Sequence, residues 1–297
     1  MNSQELTSVP APTARMGRFK ASKQIVRESW AVLKQDKEIF WFPILAAIVG
    51  LTIFATVGLA YYYGVMDGDF NRFEKLDQGT AEVLAYAAGF LYYLVMFFTV
   101  NFFDAGILTI VYARFNGQDL TFRDGIHGAS QNFGKIFIFS AISATVGIIL
   151  DFIANNFKLV GKLVAVVLGS AWNILTYFSL PSLVIGQTSI INSFKESAAI
   201  IRKTWGETII IEFGVGLFFG LIILSSFFLS IGIVVVFPYI PVMIGVATVF
   251  VLLLIAIAII SSALGMIFKL ALYEYARTGR IPQGFSPELI QNAIKKK

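Results

Sequence analysis

The stretch PVMIGVATVFVLLLIAIAIISSALGMIFKLAL, Pro241 to Leu272, decides the fold, because Lys269 is its one ionisable residue. A hydrocarbon core about 30 Å thick is crossed by about 20 helical residues. A run this long and this apolar reads as a membrane-spanning helix. Five other stretches have the same character, and the six spans are expected at about 39–63, 83–112, 133–154, 160–185, 207–235 and 241–272. Phe237-Pro238-Tyr239-Ile240-Pro241 separates the last two as a tight proline turn. Aromatic clusters at Phe40-Trp41-Phe42, Tyr61-Tyr62-Tyr63 and Tyr92-Tyr93 mark interfaces, where a ring with a polar tip is at home.

Composition agrees. Of the 297 residues, 57% are hydrophobic and 14% charged, against roughly 45–50% and about 25% in soluble domains. The predicted fold is an all-α polytopic membrane bundle, a single integral membrane domain over 16–297. Residues 1–15 (MNSQELTSVPAPTAR) read as a disordered tail, with Met16 an alternative start. No cleavable signal peptide is expected, since the first apolar run begins only near Ile39. There is no cysteine and one histidine, His127, which removes disulfides and Cys/His metal sites. No cofactor or metal is expected. His127 reads as an exposed or interfacial side chain.

Charge placement sets the orientation. Nineteen of the 23 Lys and Arg residues fall before span 1, after spans 2 and 4, and after span 6. Only Arg72, Lys75, Lys158 and Lys162 lie on the other side, beside the acidic loop Asp67 to Glu82. By the positive-inside rule the basic side is cytoplasmic and both termini lie there. The net charge of +5 is explained in this way, and no nucleic-acid partner is expected.

The cytoplasmic segments repeat. FKASKQIVRESW (Phe19–Trp30), FRDGIHGASQNF (Phe122–Phe133) and FKESAAIIRKTW (Phe194–Trp205) share their anchors and their spacing, and each runs into a span. FSPELIQNAIKK from Phe285 is a fourth version with no span after it. Tyr112-Ala113-Arg114 and Tyr275-Ala276-Arg277 each precede the next anchor phenylalanine by ten. The expected unit is an amphipathic surface helix followed by a two-span hairpin, used three times. In the first segment Ile25, Val26, Ser29, Trp30 and Leu33 form one face and Lys23, Arg27 and Lys34 the other. Such a face either lies in the lipid interface or packs on the inner ends of the spans.

Asp104, Glu212 and Lys269 are charges within apolar stretches, where a central charge costs on the order of 2.5–3.5 kcal/mol. With Asn101 and Asn173 they could line a polar cavity open to the cytoplasm. They could equally be interhelical pairs, or snorkel to the interface. Gly216 and Gly220 form a GxxxG pair in register with Glu212, and Ser261 and Gly265 a similar pair; both are expected at close helix contacts. Pro181, lacking an N–H, should kink or break span 4.

The chain contains no HExxH, G-x-S-x-G, Walker A or dinucleotide-binding string, so no enzymatic activity is expected. The stretch WAVLKQDKEIFWFPILAAIV (Trp30–Val49) resembles the start of a prokaryotic six-span family of unknown function. FFDAGILTIVYARFNGQDLTFRDGI, FKESAAIIRKTWGETIIIEFGVGL and LALYEYARTGRIPQGFSPELI are similar to its later pattern, over roughly 18–294. A more distant resemblance is to the membrane domain of some glycerophosphodiester phosphodiesterases, in which a soluble catalytic barrel follows the membrane part; that activity is not expected to carry over. The resemblance implies an inner-membrane protein and transfers no site residues. Membrane lipids are the expected partners, with a small solute or a protein as further partners. The leading expectation is non-enzymatic handling of lipid or a small solute. The alternatives are a transporter or channel with a cytoplasm-facing cavity, and a scaffold recruiting a partner through its basic surface helices.

Overall fold

The computed structural model describes residues 18–64, 78–203 and 208–293, and these are helical throughout except for short turns. In chain order the helices are α1 Arg18–Gln35, α2 Trp41–Gly64, α3 Gln78–Phe115, α4 Phe122–Gln131, α5 Phe133–Asn156, α6 Lys158–Thr176, α7 Ser179–Val184, α8 Ile190–Lys203, α9 Thr208–Val236, α10 Ile240–Thr278 and α11 Pro287–Ala293. Six segments are long and apolar enough to cross a membrane: Lys37–Leu59, Tyr86–Phe115, Phe133–Asn156, Leu159–Val184, Phe218–Val236 and Ile240–Thr278. They coincide with the six expected spans. The tail at 1–15 and most of the acidic loop lie outside the described residues, as does the third repeat anchor, Trp205.

Helices α3 and α10 are much longer than a span needs. At 38 and 39 residues they extend about 57 Å, nearly twice the hydrocarbon thickness. Burial shows where the excess goes. Between Ile240 and Ile255 large apolar side chains of α10 are exposed, whereas Ala263, Leu264, Ile267, Leu270, Ala271, Leu272 and Tyr273 are fully buried. On α3 the change falls between Val100, exposed, and Ala105, Ile107 and Leu108, buried. The molecule thus has two layers. One is a set of three hairpins (α2–α3, α5–α6, α9–α10) with lipid-compatible outer faces. The other is a close-packed core at the opposite end, where α3 and α10 are wrapped by α1, α4, α7, α8 and α11.

Helix α1 belongs to this core. Ile25, Ser29, Val32 and Leu33 are fully buried while Lys23, Arg27 and Lys34 are exposed, and the buried face meets α9 and α10. Of the two readings of the first surface segment, packing on helix ends is the one observed. Glu28 ties α1 to α11, accepting from the Ser286 backbone N–H at 3.0 Å and from its hydroxyl at 2.8 Å. Beyond α1, buried Asp36 accepts two hydrogen bonds from Arg114 at the end of α3. Arg114 also donates to Asp119 at 2.6 Å. Glu38 accepts from the backbone N–H of Phe122, the first residue of α4.

Glycines set the closest helix approach, but not the ones expected. A Cβ at Gly106 of α3 would run into the Phe42 ring. One at Gly125 of α4 would lie 2.6 Å from the same ring and 3.0 Å from Ile110, and one at Gly128 would lie 2.5 Å from Thr109. Gly216, Gly220 and Gly265 have nothing within 4 Å of their Cβ positions. Among the described residues, then, the expected close helix contact is not seen at Gly216, Gly220 or Gly265.

The start of α4 shows why that helix begins where it does. Thr121 and Asp124 form a reciprocal capping box. The Thr121 backbone N–H, at 2.9 Å, and then its hydroxyl, at 2.7 Å, hold the Asp124 carboxyl below the usual carboxylate range. A depressed folded value means the cap contributes fully above about pH 4, near the unfolded pKa. The contribution is lost as pH falls through the lower folded value. Amide exchange in the first turn of α4, corrected for intrinsic rates, should be protected to the same degree from about pH 5 to 8 and lose protection below about pH 4. In Asp124→Asn the acid-dependent step should vanish.

Candidate functional site

At the boundary between the lipid-compatible hairpins and the core, three elements bring polar groups together. Lys269 of α10 projects its ammonium over the ring of Tyr177, 4.6 Å from the centroid. Asp104 of α3 lies within Coulombic reach of that ammonium. Both charged side chains are half-buried, and among the described residues neither makes a hydrogen bond or an ion pair within 4 Å. Two of the three charges thus lie within Coulombic reach without forming an ion pair, beside an aromatic from the end of span 4. Asn101 is drawn aside, donating to Ser140 of α5 at 3.0 Å. Asn173 sits on the exposed side of α6, and the Glu212 side chain lies outside the described residues.

Tyr177 stands where span 4 breaks. α6 stops at Thr176 and α7 begins at Ser179. Pro181 cannot donate to the carbonyl of Tyr177, which helps to end the regular ladder. The buried backbone N–H of Phe178 is taken by the Ser197 hydroxyl of α8 at 3.0 Å. A helix interruption satisfied by a neighbour's hydroxyl is the form such breaks take at membrane depth. Pro181 therefore sits in a break rather than a kink.

Toward the core a hydrogen-bonded knot follows. The Tyr273 hydroxyl donates to Glu196 at 3.2 Å, and Ser182 donates to the other carboxylate oxygen. Ser182 and Thr188 pair at 2.8 Å. Gln187, with a left-handed φ of 51°, accepts from Lys135 at 3.1 Å. Tyr273 and Ser182 are fully buried, so α7, α8 and α10 are locked together directly beneath Lys269. Sequence reasoning missed Tyr273, Glu196 and Ser182. One signal was present: Ser261, Gly265, Lys269, Tyr273 and Arg277 follow at steps of four, a stripe that winds only about 40° per step.

At the far end of the α9–α10 hairpin a second feature opens. A groove of about 440 Å³ is lined by Leu229, Ile233, Val246, Val249, Phe250 and Leu253, with Ser226, Ser230 and Gly245 between them. The two hydroxyls donate to carbonyls of their own helix, Ser226 to Ile222 and Ser230 to Ser226, each at 2.8 Å. The groove wall therefore offers side-chain surface with no donor to spare. His127 is exposed, 3.0 Å from Gln131, and no group of three or more metal-ligating side chains occurs among the described residues.

Six apolar spanning helices paired in hairpins define the class: a polytopic α-helical membrane protein. Within that class the chain belongs to DUF6159, a family of unknown function, whose pattern matches residues 83–284. No curated protein matches the chain.

Proposed function

We propose that this is a non-enzymatic inner-membrane protein that handles lipid, with its basic core end and both chain ends in the cytoplasm. The groove between α9 and α10 carries the proposal. Its volume lies within the range of about 300–1,000 Å³ usual for small-molecule pockets. Its hydroxyls are already used internally, so hydrocarbon is its natural occupant. A solute pathway would need free hydrogen-bond donors, and the two hydroxyls of the groove have theirs already used. The core end is filled by large side chains such as Phe42, Phe178 and Tyr273, all fully buried, which supports a closed bundle with lateral access over a watered channel. The sequence likeness to the membrane part of glycerophosphodiester phosphodiesterases belongs to the same proposal and brings no catalysis with it. The threefold repeat is also proposed: α1, α4 and α8 each precede a hairpin, and α11 follows the last.

A phospholipid with a photoactivatable group on its acyl chain, irradiated with the protein in native membranes, should label α9 and α10 peptides around Ser230 and Gly245 above the other spans. Gly245 has open space at its Cβ position, so Gly245→Trp should fill the groove without disturbing the core. It is expected to reduce that labelling about fivefold and to leave labelling of α2 and α5 unchanged. Even labelling of all spans, indifferent to Gly245→Trp, would remove the proposal.

A further inference from the structure

Lys269 stands about 44 Å along α10 from Ile240, and Asp104 about 39 Å along α3 from Gln78. A bilayer with both headgroup layers is about 40–45 Å thick. With the tips of the α2–α3 and α9–α10 hairpins in one headgroup layer, Asp104 and Lys269 fall in the opposite one, and the ring of Tyr177 lies beside Lys269. Phosphate and amine groups of phospholipids reside at that depth. The Asp104 and Lys269 side chains both keep partial exposure. Lys269 is half-buried, and one turn toward the bilayer Gly265 has no atom within 4 Å of its Cβ position. Next along α10, Ser261 returns its hydroxyl to Ala258 at 3.2 Å. A partly exposed strip thus leads from the hydrocarbon to Lys269, and among the described residues neither its ammonium nor the Asp104 carboxylate has a hydrogen-bond or ion-pair partner.

We infer that Asp104 and Lys269 form a headgroup site for a phospholipid bearing a primary amine, of the phosphoethanolamine type. The Lys269 ammonium donates to the phosphate oxygens while the ring of Tyr177 shares its charge. The lipid ammonium donates to the Asp104 carboxylate, and the first acyl methylenes lie along Gly265 and Ser261. One positive and one negative group match a zwitterion. A purely anionic headgroup would be repelled by Asp104, and a quaternary amine has no N–H to give it. This site is remote from the α9–α10 groove and stands whether or not that groove holds hydrocarbon.

The test is retention of lipid by the purified full chain. Protein exchanged into detergent with equal amounts of phosphatidylethanolamine, phosphatidylcholine and phosphatidylglycerol is examined by native mass spectrometry. Phosphatidylethanolamine should be retained at least fivefold over each of the others, and millimolar O-phosphoethanolamine should displace it. Asp104→Asn should reduce the preference over phosphatidylcholine to below twofold, and Lys269→Met should weaken retention of phosphatidylethanolamine about tenfold. Lys269→Arg should keep both. Equal retention of the three lipids by the unmodified protein would overturn the inference without any variant being made. So would a preference that survives both Asp104→Asn and Lys269→Met, or preferential retention of phosphatidylglycerol. The Gly245→Trp protein should show the unmodified preference, which separates this site from the groove.

Discussion

Gly106→Leu is expected to abolish accumulation of folded protein, and even Gly106→Ala should be destabilised by about 2 kcal/mol, within the range for overpacking a filled core. In an ordinary helix interior glycine to alanine is favourable by about 1 kcal/mol, so the sign is the informative part. Gly106 faces the fully buried ring of Phe42, and Gly125 of α4 approaches the same ring at Cζ. The ring also packs on Phe122, 4.7 Å between centroids, so a retreat must displace a packed neighbour. Phe42→Leu alone should lose packing. Combined with Gly106→Ala it should recover most of the stability, because the added methyl then occupies space the ring has vacated. Thermal unfolding in detergent, with Gly134→Ala as control, reads all four. Gly134 has nothing within 4 Å of its Cβ position and should lose nothing. A Gly106→Ala protein as stable as that control would show that α3 and α4 do not meet around Phe42.

The contrast between Gly106 and the Gly216–Gly220 pair shows what a sequence can carry. Hydropathy over 20 residues is a local property, so the six spans were legible, as was the turn at Pro238. Which glycine is pressed depends on what arrives from elsewhere in the chain. At Gly106 it is Phe42, brought back by the α2–α3 hairpin; at Gly216 nothing comes. The layering was half legible. The stretches 83–112 and 241–272 are longer than a bilayer requires, and that surplus marked the ends that enter the core. Read as span ends, they placed Asp104 and Lys269 near the cytoplasmic surface; Asp104 stands where exposed apolar surface gives way to buried core, and Lys269 among the buried residues of α10.

The site divides in the same manner. Charges in apolar runs stand out in any reading, and Asp104 and Lys269 do come together. Tyr177 was hidden because a tyrosine near a span end is the commonest interfacial residue, and only the break before α7 turns it toward Lys269. Tyr273 and Glu196 are 77 residues apart and Ser182 and Glu196 are 14 apart on successive helices, with no motif spacing to announce them. The groove residues are mostly leucines, valines and isoleucines, with Phe250, two serines and Gly245, the same residue types that elsewhere merely face lipid.

Asp36→Ala should be the most damaging substitution of a charged residue, at about 3–5 kcal/mol, the range for leaving one member of a buried pair alone. Asp36 is 5% exposed, and its two carboxylate oxygens take the Nε and Nη2 hydrogens of Arg114. That bidentate geometry makes a guanidinium pair directional. The bridge joins the end of α1 to the end of α3, two elements far apart in sequence, and sets the position from which Glu38 reaches the first N–H of α4. Removing Asp36 leaves Arg114 with Asp119 alone, whose side chain is 80% exposed and whose attraction is correspondingly screened. Asp119→Ala should therefore cost less than about 1 kcal/mol. Arg114→Lys should behave nearly like a loss of the pair, since an ammonium cannot reproduce the two parallel bonds. In the double variant Asp36→Leu with Arg114→Met the apolar replacements should restore much of the stability lost by either alone. A cycle of thermal unfolding measurements with no coupling between positions 36 and 114 would mean that this bridge does not form, and that the core end is held by its apolar contacts alone.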